Sequence, residues 1–145
     1  MNTIEELQAR AELKQLLDNY ANESDRNNQD YYVNVFALDC HVRVYFNNEV
    51  GMEFHNVNDL IEAYKGFGAA KESFHLNGQQ TVEFQDDTHA TGVAYALANL
   101  VNEEEGQLKL STHGVRYYDS YEKIDGKWLI KEREQYFVYS KTESI

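Results

Sequence analysis

GVRYYDSYEKIDGKWLIKERE, running from Gly114 to Glu134, is the stretch whose reading decides the fold. Asp125-Gly126 sits between two runs rich in aromatic and apolar residues. A two-residue hairpin turn needs positive φ at both central positions, which Asp and Gly tolerate. Two long strands follow, one from about Leu108 to Lys123 and the next from Trp128 to Tyr139. With Ile124 and Lys127 flanking the turn, Lys123 faces Trp128, Tyr121 faces Ile130 and Asp119 faces Glu132. Continuing, Tyr117 faces Glu134 and Val115 faces Tyr136, all on one sheet face. Two opposed carboxylates beside aromatics are therefore expected. Ionised together they repel, which raises the pKa of one and tunes it as an acid or base. The same residues also suit a solvated face at a sheet edge, and both readings stand at this level.

Outward from this hairpin the chain divides cleanly. Strands are expected from about Ser73 to Phe84 and from Ala90 to Val101, turned by Asp86-Asp87-Thr88, with Glu103-Glu104-Glu105-Gly106 as the next loop. Further upstream, Cys40, Val42, Val44 and Phe46 alternate with His41, Arg43 and Tyr45. Asn47-Asn48 then turns the chain into a short strand bearing Val50, Met52 and Phe54. Thr3-Ile4-Glu5-Glu6 reads as a capping box opening a helix to about Asn22, with Leu13, Leu16, Leu17 and Tyr20 as its inward stripe. A short helix around Asp30 to Phe36 buries Tyr32, Val33 and Phe36. A third is capped by Asn58, carries Leu60, Ile61, Tyr64 and Phe67 on one stripe, and ends at Gly66 and Gly68. The order ααββαββββ is an α+β plan with helices on one face of a mostly antiparallel sheet. Without Pro, repeats or low-complexity tracts, a single domain over residues 1–145 is expected.

Composition excludes several partners. With 25 acidic against 13 basic residues the net charge is -12, and no stretch clusters Lys or Arg. Phosphate backbones and anionic membranes are repelled, so neither nucleic acid nor membrane is expected as a partner. The single Cys40 forms no internal disulfide and suits a reducing compartment. The acidic, amphipathic MNTIEELQARAELKQ lacks an apolar signal core, so the expected location is cytoplasmic. An aromatic set of 11 Tyr, 7 Phe and 1 Trp suits a small-molecule pocket or an interface as well as a core.

Among five histidines, His75 stands apart, just inside a strand that follows a Gly-terminated helix. A strand histidine is ordinarily a surface or hydrogen-bonded core residue, but this position also suits a cavity mouth. His41 and His55 are expected to be neighbours across the first hairpin. Two ligands make no site and no His-x-His or His-x-x-x-His spacing occurs, so no metal is expected. Gly66-Phe67-Gly68-Ala69-Ala70-Lys71 follows a helix and lacks a third glycine, so it is no dinucleotide fingerprint and no cofactor is expected.

In order and spacing, several stretches together resemble a SnoaL-like protein of the nuclear transport factor 2-like superfamily. They are Leu16-Leu17-Asp18-Asn19-Tyr20-Ala21, Ser24-Asp25-Arg26-Asn27, Val35-Phe36-Ala37-Leu38-Asp39-Cys40, Ser73-Phe74-His75-Leu76-Asn77, Gly114-Val115-Arg116-Tyr117-Tyr118-Asp119, and Ile124 to Ile130 with Arg133. The resemblance implies a cone: a strongly bent sheet wrapped around three helices, an internal hydrophobic pocket, and a homodimer through the outer sheet surface. The scytalone dehydratase and bile acid 7α-dehydratase branch is the nearest functional parallel. By position it implies Tyr20, Asp25 and His75 as catalytic residues; Asn99, Tyr117, Asp119 and Glu134 are expected to line the pocket. Asp25 would fix the His75 tautomer, His75 would act as base and then acid, and Tyr20 would hydrogen-bond the substrate carbonyl.

Departures are visible. The strand after His75 offers Leu97, Ala98, Asn99 and Leu100 where those dehydratases have a further His or Asp. Ser24 replaces a tyrosine beside Asp25. Val44 lies near the catalytic base of the ketosteroid isomerase branch, and Asp119 near its oxyanion-hole acid. The expectation is a cofactor-independent lyase or isomerase acting on a small hydrophobic cyclic carbonyl compound. The alternative is a non-catalytic ligand-binding or dimeric interaction module.

Overall fold

A computed structural model describes residues 1–67 and 70–145. Helix α1 spans Thr3–Asp25, a 3-10 turn covers Gln29–Asn34, and α2 spans Val57–Phe67. The strands are β1 Phe36–Phe46, β2 Glu49–Phe54, β3 Glu72–Phe84, β4 His89–Glu104, β5 Gln107–Ile124 and β6 Lys127–Ser144. They form one sheet in the order β2-β1-β6-β5-β4-β3, antiparallel throughout except for the parallel β1–β6 pair. No described helix is long and apolar enough to cross a membrane.

Local chemistry explains the boundaries. Asn2, not Thr3, caps α1: its side chain accepts from the Glu5 amide at 2.9 Å and donates to the Glu5 carboxylate at 2.7 Å. The reciprocal cap is thus the expected one moved back one residue, because Asn is at least as good a cap as Thr. The inward stripe Leu13, Leu16, Leu17 and Tyr20 is buried, and the helix runs past Asn22 to Asp25. Asn56, two residues before Asn58, caps α2 by accepting from the Asp59 amide at 2.8 Å. Gly66 lies inside that helix, and the expected terminator Gly68 falls outside the described residues. The expected second helix is shorter than its hydrophobic pattern suggested. Phe36 already belongs to β1, and the Val35 carbonyl accepts from the Ile130 amide of β6 at 2.8 Å. Tyr32 and Phe36 are buried as expected, but Val33 faces solvent.

Asn47, Asn48, Asp125 and Gly126 all have positive φ, so both hairpins turn as their residues dictate. Below the second hairpin the expected register holds only to Tyr121 opposite Ile130. A bulge then shifts it, setting Ser120 opposite Glu132, Asp119 opposite Arg133, Tyr118 opposite Glu134, Tyr117 opposite Gln135 and Val115 opposite Phe137. The facing carboxylate pair is therefore absent. Asp119 points inward and is buried, while Glu132 falls on the other face with Ser120.

The inner face is built from matched rows. β3 supplies Ser73, His75, Asn77, Gln80 and Val82, and their register partners on β4 are Leu100, Ala98, Ala96, Ala94 and Gly92. Small side chains on β4 let α1 lie close over β3. Asn77 donates to the Leu17 carbonyl at 3.1 Å, and Gln80 donates to the Tyr121 hydroxyl at 3.2 Å. Gly92 is the tightest point of this row. A Cβ there would sit 2.7 Å from the Thr81 carbonyl oxygen and 2.9 Å from the Tyr121 ring. Gly92→Ala is expected to destabilise the fold by about 1–3 kcal/mol through overpacking against backbone; urea unfolding with an unchanged m-value checks this, and an unchanged midpoint refutes it.

Candidate functional site

Asp25 lies in the last turn of α1, and α1 crosses the inner face over β3. Its carboxylate gathers three donors from one short stretch. Oδ1 accepts from the Ser73 hydroxyl at 2.9 Å and pairs with His75 Nδ1 at 2.6 Å, while Oδ2 accepts the His75 backbone N–H at 2.9 Å. A carboxylate acceptor at Nδ1 requires the proton there, so Nε2 carries the lone pair of the neutral ring. No described residue hydrogen-bonds Nε2. The pair is only partly covered, with 15% of the His75 side chain and 25% of the Asp25 side chain exposed, so a small molecule can reach it.

Tyr20 sits five residues earlier on α1, in a different environment. Its ring packs 5.0 Å from Tyr32, 5.8 Å from Phe36 and 6.4 Å from Tyr117, and Arg133 lies over it at 5.1 Å. Burial pushes the Tyr20 phenol above its ordinary pKa, and the nearby Arg133 charge only partly opposes that. Tyr20 therefore remains a neutral hydrogen-bond donor.

Arg133 organises this second cluster. Its side chain has no exposed surface, and Nε and Nη2 donate to the two Asp119 oxygens at 2.8 and 3.0 Å. Burial alone would lower the guanidinium pKa, but the Asp119 carboxylate overcomes that and holds it above the ordinary value. The guanidinium stacks 3.8 Å from the Tyr117 ring centre, and its remaining nitrogen, Nη1, is buried without a hydrogen-bond partner among the described residues. The rings of Tyr20, Phe36 and Tyr117 pack around the guanidinium. Burial also raises the Tyr117 phenol well above its usual range.

The expected site residues thus divide. Asp25 and His75 come together, and Tyr20, Tyr117 and Asp119 gather around Arg133. Asn99 and Glu134 lie on the opposite sheet face. Asn99 donates to the Phe74 carbonyl at 3.2 Å and accepts from Thr112 at 3.2 Å, and Glu134 stands 4.0 Å from Arg43. A one-residue register error explains Glu134: the bulge between Ser120 and Tyr121 reverses the face of the β6 residues from Glu132 to Phe137. Asn99 is on the wrong parity because Ala98 is the partner of His75.

Two inner-face residues escaped the sequence reading of the site. His113 continues the alternation His113, Val115, Tyr117, Asp119, and it faces His75 across Ala98 in one row of the sheet. Its Nδ1 bonds Ser140 at 2.7 Å, and its pKa is lowered by burial first and by His75 second. Extending the strand alternation two residues upstream of Val115 would have found it. Arg133 carried no signal of burial, because a lone Arg on a strand ordinarily faces water.

In fold class this is an α+β chain with α1 and α2 against a mixed, mostly antiparallel six-stranded sheet. The chain belongs to the SnoaL-like domain family, whose model matches residues 5–134. Similar solved structures include a protein from Novosphingobium aromaticivorans provisionally assigned as a scytalone dehydratase, with 20% identity, 97% of this chain and 91% of that chain covered, and a TM-score of 0.84. A type 2 hexachlorocyclohexane dehydrochlorinase, LinA, has 15% identity over 98% of this chain and 93% of its own, with a TM-score of 0.82. A Xanthomonas campestris protein provisionally assigned as a calcium/calmodulin dependent protein kinase II association domain has 24% identity over 88% and 86%, with a TM-score of 0.70. Such different descriptions on one backbone show that the fold is shared and that the activity must be argued from side chains. No curated protein sequence matches the chain.

The Arg133–Asp119 pair makes a stability prediction. Asp119→Ala leaves a buried guanidinium without its carboxylate and is expected to cost about 3–5 kcal/mol, whereas Asp119→Leu combined with Arg133→Met costs less than Asp119→Ala alone. Chemical denaturation of the three proteins checks this; additive losses in the double variant would contradict it.

Proposed function

We propose that this chain is a cofactor-independent lyase or isomerase that performs dehydratase-like acid–base chemistry on a small hydrophobic cyclic carbonyl compound. The observation that carries the reading is the Asp25–His75 pair, with Nδ1 engaged by the carboxylate and Nε2 free on the inner face. In this reading the sheet bends into a cone, and the space between its inner face and the helices is the substrate pocket. The bulges in β2, β3 and β6 favour such a bend.

The chemistry balances without an added group. Nε2 of His75 takes a proton from the carbon beside the substrate carbonyl, and the bonding pair moves into an enolate. Asp25 accepts the Nδ1–H throughout and stabilises the imidazolium. Donors aimed at the enolate oxygen lower the barrier most when they are fixed and dry, and the Tyr20 hydroxyl and Arg133 Nη1 have those properties. Tyr20 and Asp25 are five residues apart on one helix, an axial rise of about 7.5 Å. The imidazolium then returns its proton to the departing hydroxyl, which leaves as water, and neutral His75 is restored. Return of the proton to a different carbon makes the same residues an isomerase.

Cyclic β-hydroxy ketones, followed by loss of water in mass spectra and by growth of enone absorbance, test this. His75→Gln is expected to lower turnover by about 10²–10⁴-fold while ligand affinity stays within a few-fold. Equal turnover by the variant and parent would refute the mechanism.

A second reading, association through the outer sheet face as a homodimer, is favoured by one specific observation. Leu76, Leu97, Val138 and Tyr139 are exposed together on that face, where strands β3 to β6 run side by side. Light scattering is expected to give twice the chain mass of 16.9 kDa, and Leu97→Asp with Val138→Asp to return it to one chain. A parent protein of single-chain mass would dismiss this association.

A further inference from the structure

The outer face carries a second cluster, far from His75 in the sheet. His41 on β1 and Glu53 and His55 at the β2 end bring two imidazoles and a carboxylate together at the opposite edge from β3. His41 Nε2 lies 2.5 Å from Glu53 Oε2, His55 Nε2 lies 3.8 Å from the same oxygen, and all three ligand atoms fall within 4.8 Å of one another. The two rings are stacked at 4.7 Å with 17° between their planes. From these residues we infer a surface site for a divalent transition-metal ion of the zinc class, with His41, Glu53 and His55 as ligands and water completing the coordination.

The dimensions suit that ion. Tetrahedral zinc with bonds of about 2.0–2.1 Å sets its ligand atoms about 3.3 Å apart. The His41–Glu53 spacing is below that value and the His55–Glu53 spacing above it, so centring all three takes rotation of these exposed side chains, with one imidazole turning out of the stack. Imidazole nitrogens favour zinc over magnesium or calcium, which take oxygen donors. Arg43 is the group that opposes a cation here, with Nε 3.3 Å from Glu53. It has another partner, because Glu134 of β6 stands 4.0 Å away and can hold the guanidinium when Glu53 turns to the metal. Glu132, the β6 register partner of His41, adds a further carboxylate beside the site. The net charge of -12 raises the local concentration of cations generally. Because the cluster is on the outer face, its occupancy is independent of the acid–base reading of Asp25 and His75.

The test is calorimetric titration of the full, tag-free chain with zinc chloride, with magnesium chloride as the control. A single-site isotherm for zinc and none for magnesium is expected. His41→Gln and His55→Gln should each weaken binding by at least about tenfold, since even residues that only orient metal ligands change affinity by that much. His89→Gln, which removes a histidine paired with Asp86 elsewhere, should change nothing. Ring-nitrogen NMR of the parent protein should show zinc perturbing His41 and His55 together, a result that does not depend on the variants folding. Absence of saturable zinc uptake overturns the site, as do unchanged affinity in both variants or shifts confined to other histidines.

Discussion

An arginine with no exposed side-chain surface constrains everything around it. Arg133 can stay in the interior only with a carboxylate held against it, because an unpaired interior charge costs several kcal/mol and Arg does not release its proton. Asp119 meets that need through two hydrogen bonds, and it can do so only if Asp119 and Arg133 are opposite one another on the inner face. The β6 bulge creates that alignment. From it follow the inward positions of Gln135 and Phe137, the pairing of Val42 with Arg133 across to β1, and the aromatic rings of Tyr20, Phe36 and Tyr117 packed on the guanidinium. One ion pair thereby ties β5, β6, β1 and α1 into a common register.

Helix α1 connects this anchor to the candidate site. Tyr20 rests on the Arg133 cluster, and the helix continues for one and a half turns before Asp25 reaches Ser73 and His75. The length of the helix past Asn22 fixes the position of Asp25, since a helix ending at Asn22 would leave Asp25 in a loop. The three donors that converge on Asp25 include a backbone N–H. Rotation of the carboxylate away from His75 would break that bond too, so the imidazole is aimed by the strand itself and not only by its own side chain.

How much of this was legible in the sequence depends on the range of the forces involved. Asn47-Asn48 and Asp125-Gly126 announced their turns because positive φ is a local demand that few residues meet. The α1 stripe was legible because burial repeats with the helix period. The bulge was not, since the first four pairs of the hairpin satisfy an unbulged register equally well and only Arg133, inside the completed fold, prefers the other. The same shift moved Glu134 to the outer face and dissolved the expected Asp119–Glu132 pair. Asp25 and His75 are 50 residues apart, and no periodicity connects them. Their meeting was indicated by the family resemblance alone, while His113 was within reach of the alternation and Arg133 was not.

The two faces of the sheet consequently carry different chemistry for a physical reason. On the inner face, charge is admitted only where it is matched: Asp119 with Arg133, and Asp25 with the donors of the Ser73–His75 segment. Asp119 and Arg133 are aligned in a fully buried setting, whereas Asp25 and His75 are aligned at a partly exposed one. On the outer face, water screens unmatched charge. Glu53, Glu132 and Glu134 can therefore sit in neighbouring rows beside a single arginine, and His41 and His55 can stack beside one shared carboxylate. A strand that alternates between the faces places the two kinds of chemistry one residue apart. His41 beside Cys40 and Val42 shows how a one-residue shift in register exchanges a buried position for a partly exposed one.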